Sequence, residues 1–276
     1  MITSNIIDGL VKLILSFGHE TIMTPTIILG FIWLNRDIFY HATCILLLSM
    51  LFSFALKVTF KKISTYGFAF PSGHMQASVA IYGWLAYKYN KQFGYIFATI
   101  ILSGIGISLV YAGYHDYPDA LGGLFFALIL ISLYNFSLSK MKKNIDIISF
   151  IFATCLMLYI FWRQQQILPH LWLAYYALIG FMLSARLFGS EIELTSKSQR
   201  ILASMIFFLL MLTIHKIFSW IIINDLPVYF SQIKWLLIGA VIPCSSLFTK
   251  KIFICSRSSN KNYIDKSNSK KEQIHH

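Results

Sequence analysis

Two short stretches hold residue types that can do chemistry. The first, FAFPSGHMQASV at residues 68–79, sets a turn former, a hydroxyl, an unhindered backbone and an imidazole side by side in Pro71-Ser72-Gly73-His74. The second, SLVYAGYHDYPDALGG at residues 108–123, places His115 and Asp119 four residues apart across Pro118. Proline suits the first turn of a helix, so His115 is expected on a loop and Asp119 at the start of the next helix. A carboxylate so placed accepts a proton from one imidazole nitrogen, fixes the tautomer and leaves the other nitrogen as a nucleophile. His74 is then available to give a proton to a leaving oxygen. The Ser72 hydroxyl, with the backbone N–H groups of Gly73 and His74 at a helix N-terminus, makes an anion pocket. A His/Asp pair at i, i+4 arises freely by itself, and a single loop histidine is usually only solvated; His41, His170 and His215 are read that way. The inference rests on both stretches falling on one face of the molecule.

The elements that must position them are apolar. Of 276 residues, 57% are hydrophobic and 12% charged, with a mean hydropathy of +0.66; a soluble domain carries about twice that charged fraction. This is the composition of a multi-pass membrane protein. Apolar runs near the ~17–25 residues needed to cross a bilayer fall at about 20–34, 38–60, 74–88, 93–113, 118–139, 146–162, 170–187, 201–220 and 233–249. In residues 2–17, Asn5, Asp8, Lys12 and Ser16 recur every three or four positions opposite Ile6, Ile7, Leu10, Ile14 and Phe17. This periodicity predicts an amphipathic helix lying in the membrane interface, with a spanning helix as the alternative. No Lys or Arg precedes the apolar part and no small-residue cleavage site follows it, so a secretory signal peptide is not expected.

The formal charge of +12 does not point to nucleic acid, because the positive residues sit in loops rather than on one soluble face. Lys88, Lys91, Lys140, Lys142, Lys143, Arg186, Lys197, Arg200 and the tail from Lys250 to Lys271 fall in alternate loops on one side, which the positive-inside rule makes cytoplasmic. The loops at 61–73, 114–117, 163–169 and 221–232 fall on the other, with Lys61, Lys62 and Arg163 as their main positive charges. Both chemical stretches are therefore expected to face outward, toward a periplasm-like compartment or a lumen. Cys44, Cys155, Cys244 and Cys255 are too dispersed for a zinc pattern or a disulfide framework. The polar tail from residue 253 is expected to be disordered and attracted to anionic lipid; its last two histidines read as native or as the remnant of a tag.

The ordered set Lys57, then Pro71-Ser72-Gly73-His74, then Ser108, His115 and Asp119 resembles the type 2 phosphatidic acid phosphatase and vanadium haloperoxidase superfamily, over roughly residues 1–140. The flanking sequence is similar to its bacterial integral-membrane branch. The resemblance implies an all-α polytopic membrane bundle, with a phosphatase-like core at 18–140 after the helix at 1–17, and additional transmembrane helices at 141–252 before the tail at 253–276. It implies that His74 is the general acid, His115 the nucleophile forming a phosphohistidine, and Asp119 its orienting partner. Lys57, Ser72, Gly73 and Ser108 would hold phosphate, and no metal or cofactor is needed. The implied partners are a lipid phosphate substrate and membrane lipids, with a homo-oligomer left open.

Two departures stand out. The family's first motif ends in Arg-Pro where this chain has Ser64-Thr65, and its third has Arg after the serine where this chain has Leu109. Those arginines would grip equatorial phosphate oxygens with planar bidentate donors. Lys61, Lys62 and Arg163 are the candidate replacements, although lysines at a helix end also commonly snorkel. A non-catalytic lipid-binding relative and a phosphotransferase therefore stand beside the lipid-phosphate phosphatase. A haloperoxidase is the weakest reading, since vanadate would want both arginines. The helices after residue 145 read equally as a cap, a dimer surface or a lipid access route.

Overall fold

The computed structural model describes residues 2–64, 67–188, 194–223 and 229–272. Its helices are α1 (Ile2–Phe17), α2 (Glu20–Leu29, continuing as a π-helical turn at Gly30–Leu34), α3 (Arg36–Phe60), α4 (Gly73–Ser78), α5 (Trp84–Tyr89), α6 (Gln92–Tyr111), α7 (Tyr117–Lys140), α8 (Ile145–Gln164), α9 (Pro169–Phe188), α10 (Lys197–Ile223) and α11 (Tyr229–Glu272). Apart from a hairpin of two two-residue strands, Ile63–Ser64 and Gly67–Phe68, the architecture is an all-α polytopic bundle.

Among the described residues, seven helices are long and apolar enough to cross a membrane, and Ile6–Phe17 with Glu20–Leu34, bent by 43°, together make an eighth if counted as one broken span. Nine windows were expected. The difference lies at 74–88, where α4, a π turn at Val79–Gly83 and α5 follow one another as pieces of six, five and six residues. Each piece alone is far shorter than the ~17–25 residues a crossing takes, and only in series do they reach that length. At the other end, α11 carries helical backbone through the polar tail to Glu272, where composition predicts disorder. No Gly or Pro interrupts residues 254–272 to stop it. The two terminal histidines lie outside the described residues.

Helix α3 is the central pillar. Asn35 caps it by accepting a hydrogen bond from the Ile38 N–H at 3.0 Å, and α4, α7, α8 and α9 all pack against it. Trp84 ties α5 to its start through Nε1 to the Ile38 carbonyl at 3.1 Å. The later helices dock on this core. A Cβ on Gly180 would collide with the Leu236 carbonyl, and one on Gly239 with the Ala177 carbonyl, so α9 and α11 touch backbone to backbone. Arg200 reaches from α10 to the Trp33 carbonyl at 2.8 Å.

The charged loops sort to two ends of the bundle. At one, Lys62 reaches Asp116 and Asp119, and Arg163 donates to the Val58 carbonyl at 3.4 Å. At the other, Arg36, Lys142, Lys143 and Arg186 line a cavity together with Asp37 and Asp146.

Candidate active site

Helix α6 ends at Tyr111, and Gly113, with φ of +70°, turns the chain back so that the Tyr114 and His115 N–H groups both donate to the Leu109 carbonyl, at 3.1 and 3.4 Å. His115 is left half-enclosed, its side chain 10% exposed. Asp116 then caps α7 and Asp119 returns the bond, accepting from the Asp116 N–H through Oδ2 at 3.3 Å. This reciprocal cap fixes the Asp119 carboxylate, 1% exposed, beside the imidazole. The His115 Nδ1 to Asp119 Oδ2 distance is 3.6 Å, outside hydrogen-bond reach, and Nδ1 is buried without another hydrogen-bond partner. The closer bond of Asp119 goes to Lys62, whose Nζ donates to Oδ1 at 2.7 Å and to Asp116 Oδ2 at 3.2 Å.

His74 is brought to the same place by backbone contacts. The Ser72 N–H donates to the Asp119 carbonyl at 2.9 Å, and the Ala69 N–H to the Lys62 carbonyl at 2.9 Å. Gly123 lets α7 approach, since a Cβ there would lie 2.6 Å from the Ser72 carbonyl oxygen. As a result, His74, His115 and Lys57 line one cavity of about 660 Å³. The Lys57 Nζ lies 4.0 Å from where a Cβ on Gly73 would stand. Burial first, and then the positive charge of Lys57, hold the His115 imidazole below its ordinary pKa, with Asp119 pulling the other way. The hydrogen bond to Asp119 leads the effects that raise the Lys62 pKa.

Several expected phosphate ligands are placed otherwise. Ser72 is fully buried, and its hydroxyl accepts from the Met75 N–H at 3.4 Å as the cap of α4. Ser108, 2% exposed, faces the interior of α6. Neither lines the cavity, because each sits on the packed side of its helix. Lys61 terminates α3 in a left-handed conformation, φ 51°, exposed and away from the cavity. Lys62 is held by two carboxylates, and Arg163 lies over the Trp162 ring, 5.9 Å from its centroid. Leu109, the residue read from the resemblance as replacing an arginine, is a cavity wall. Ser64 falls among residues whose side chains are not described.

The cavity also contains residues that no motif announced. Lys12, Ser16, His19, Thr21 and Tyr114 line it. One signal was present in the sequence: Lys12 and Ser16 belong to the polar stripe of α1. In the structure that stripe turns toward the cavity, while Ile6, Ile7, Leu10 and Leu13 are exposed on the outside.

A second cavity, about 460 Å³, shares Gly18, Lys57 and His74 with the first. Its walls are largely apolar, with Met23 and Ile27 from α2, Leu46, Met50 and Phe54 from α3, Leu173 and Phe181 from α9, and Ile238 and Ile242 from α11. His170, read as ordinary, stands at this cavity with its ring 5.8 Å from that of Phe54.

Comparison with known proteins bears on the same region. Residues 40–141 match the model of the PAP2 superfamily. Phosphatidylglycerophosphatase B of Bacillus subtilis (strain 168) is 35% identical over 85 residues, covering 28% of this chain and 42% of that protein, so the chain spans less than half the length of the relative it matches. No solved structure matches the chain. The segment that holds Lys57, His74, His115 and Asp119 is thus the part of the chain that is similar to the PAP2 superfamily and to the phosphatase of Bacillus subtilis.

Proposed function

We propose that the protein is a membrane phosphatase that hydrolyses a phosphomonoester or diphosphate of a lipid through a phosphohistidine. The observation that carries this reading is the shared lining of the two cavities: one lined by both histidines and Lys57 has Lys57 and His74 in common with a second, more apolar one. A lipid phosphate has that same division, a charged head joined to an apolar tail.

In this mechanism His115 Nε2 attacks phosphorus, since Nδ1 faces Asp119. The bond from phosphorus to the lipid oxygen breaks as His74 gives that oxygen a proton. Water, deprotonated by His74, then attacks the phosphohistidine, the P–N bond breaks and inorganic phosphate leaves. Asp119 balances the imidazolium-like charge of His115 in the intermediate, and Lys57 balances charge on the phosphoryl oxygens. No step calls for a metal.

The name of the Bacillus relative makes phosphatidylglycerophosphate a natural member of a substrate panel. The Lys/Arg distribution supports a bacterial inner-membrane protein with this site outside and the C-terminus in the cytoplasm. Labelling of Tyr117→Cys in a Cys-less background should occur from outside, and labelling only from inside would reverse the assignment.

A second reading is a relative that binds lipid phosphate without turning it over. It is favoured by the 2.7 Å hold of Lys62 on Asp119, which leaves His115 Nδ1 without a hydrogen bond. Phosphate release by purified protein from phosphatidate, phosphatidylglycerophosphate, polyprenyl diphosphate and sphingoid phosphate separates the two. Turnover that His115→Ala removes, with an acid-labile phosphoryl group trapped on the wild type, is the expected result. Turnover retained in His115→Ala would refute the mechanism, and no turnover on any substrate would favour the binding reading.

A further inference from the structure

The phosphoryl group in flight carries charge on three equatorial oxygens, and Lys57 is one cation. Both family arginines are absent, Leu109 contributes only an apolar wall, and Lys62 and Arg163 are bonded elsewhere. Besides Tyr114 of the loop between α6 and α7, the further side-chain donors that line the cavity come from the N-terminal helix pair. Lys12, Leu15 and Ser16 line it from one face of α1, and His19, the extended residue that precedes α2, lines it from the junction. The 43° bend between Ile6–Phe17 and Glu20–Leu34 falls at this point.

The junction is built into the core. Tyr82 donates its hydroxyl to the Phe17 carbonyl at 2.8 Å. Gly18 is buried, and a Cβ there would stand 3.1 Å from Ser78 Oγ. A Cβ on Gly104 of α6 would meet Ile14 at 3.1 Å. His19 consequently lies parallel to His74, with ring centroids 6.5 Å apart and planes 19° apart. Its Nδ1 is 3.4 Å from Thr21 Oγ1, which leaves Nε2 as the nitrogen available to a ligand.

We propose that Lys12 and His19 are phosphate-contacting residues which, with Lys57, do the work of the missing arginines, so that the N-terminal helix pair completes the catalytic pocket. The assignment rests on the phosphatase reading for its role in turnover, and on the cavity alone for anion binding. Inorganic orthovanadate, a phosphoryl-shaped anion, tests the second independently of the first.

The experiment is calorimetric titration of orthovanadate into purified full-length protein in detergent, alongside phosphate release from the lipid panel. Lys12→Met should raise the vanadate Kd tenfold or more, about 1.4 kcal/mol, and Lys12→Arg should restore it to within threefold. His19→Gln should raise Kd several-fold, and kcat should fall in parallel in both neutralised variants. Unchanged melting temperatures identify the losses as local, as expected for exposed side chains. Vanadate binding within twofold of wild type in both Lys12→Met and His19→Gln, or no vanadate binding by wild type, overturns the proposal. The two readings fail separately: a vanadate loss in Lys12→Met with no turnover on any lipid rejects the phosphatase and keeps the anion site. Turnover that depends on His115 but ignores Lys12 and His19 does the reverse.

Discussion

Asp119→Asn tests how the carboxylate acts on the nucleophile. The substitution keeps the shape and an oxygen that can still accept from the Asp116 N–H, so the cap of α7 survives. It removes the charge facing His115 at 3.6 Å. Two unit charges at that distance interact by about 4–5 kcal/mol at an effective dielectric of about 20. Lys62, 2.7 Å from the other carboxylate oxygen, opposes part of this at the imidazole, which leaves about 2–3 kcal/mol, or a loss of about 30- to 150-fold in kcat. The assay is phosphate release at saturating lipid, comparing wild type, Asp119→Asn, Lys62→Met and the double variant. Lys62→Met should strengthen the hold of Asp119 on His115 and so raise the pH of the acid limb, while lowering the melting temperature because a buried carboxylate loses its strongest donor. In the double variant the two effects should be non-additive. A kcat for Asp119→Asn within threefold of wild type, or strict additivity in the double variant, would refute the electrostatic account.

His115 must be neutral to attack, and its pKa lies below the ordinary histidine value of about 6.5. Activity should therefore persist below that pH and fall as His115 takes up a proton. Lys57→Met removes a positive neighbour, so the acid limb of kcat/KM should move upward, and a limb that stays in place would show that Lys57 does not act on His115. Met50→Trp narrows the apolar cavity and should raise KM for long-chain lipid phosphates at least fivefold while leaving a short water-soluble phosphate unaffected; equal effects on both would separate that cavity from tail binding. Gly123→Ala puts a Cβ 2.6 Å from the Ser72 carbonyl oxygen and 3.0 Å from Met75 Cβ. It should cost about 1–3 kcal/mol of stability and lower kcat by displacing His74, as read by thermal melting and phosphate release, and a variant unchanged in both would mean that the α4–α7 contact does not position the acid.

The sequence by itself determined most of the helices and which residues of the candidate site could do chemistry. Hydropathy marks helices because bilayer length and backbone hydrogen bonding leave few other options. His74, His115 and Asp119 were legible because each stands beside local punctuation, Pro71 with Gly73 or Gly113 with Pro118, whose backbone requirements act within a few residues. Only the tertiary structure decided which way side chains point and what distant segments add. Ser72 and Ser108 stand in motif positions, but the packing of α4 and α6 turns both inward. Lys62 looked like a free cation in a loop until the fold brought Asp119, 57 residues away in sequence, to its Nζ. Lys12 and His19 carry no motif at all; they reach the cavity because small residues at Gly18 and Gly104 let the N-terminal helix settle onto the core. A polar stripe on α1 reads the same in one dimension whether it faces headgroups or a cavity, and only the position of its neighbours distinguishes the two.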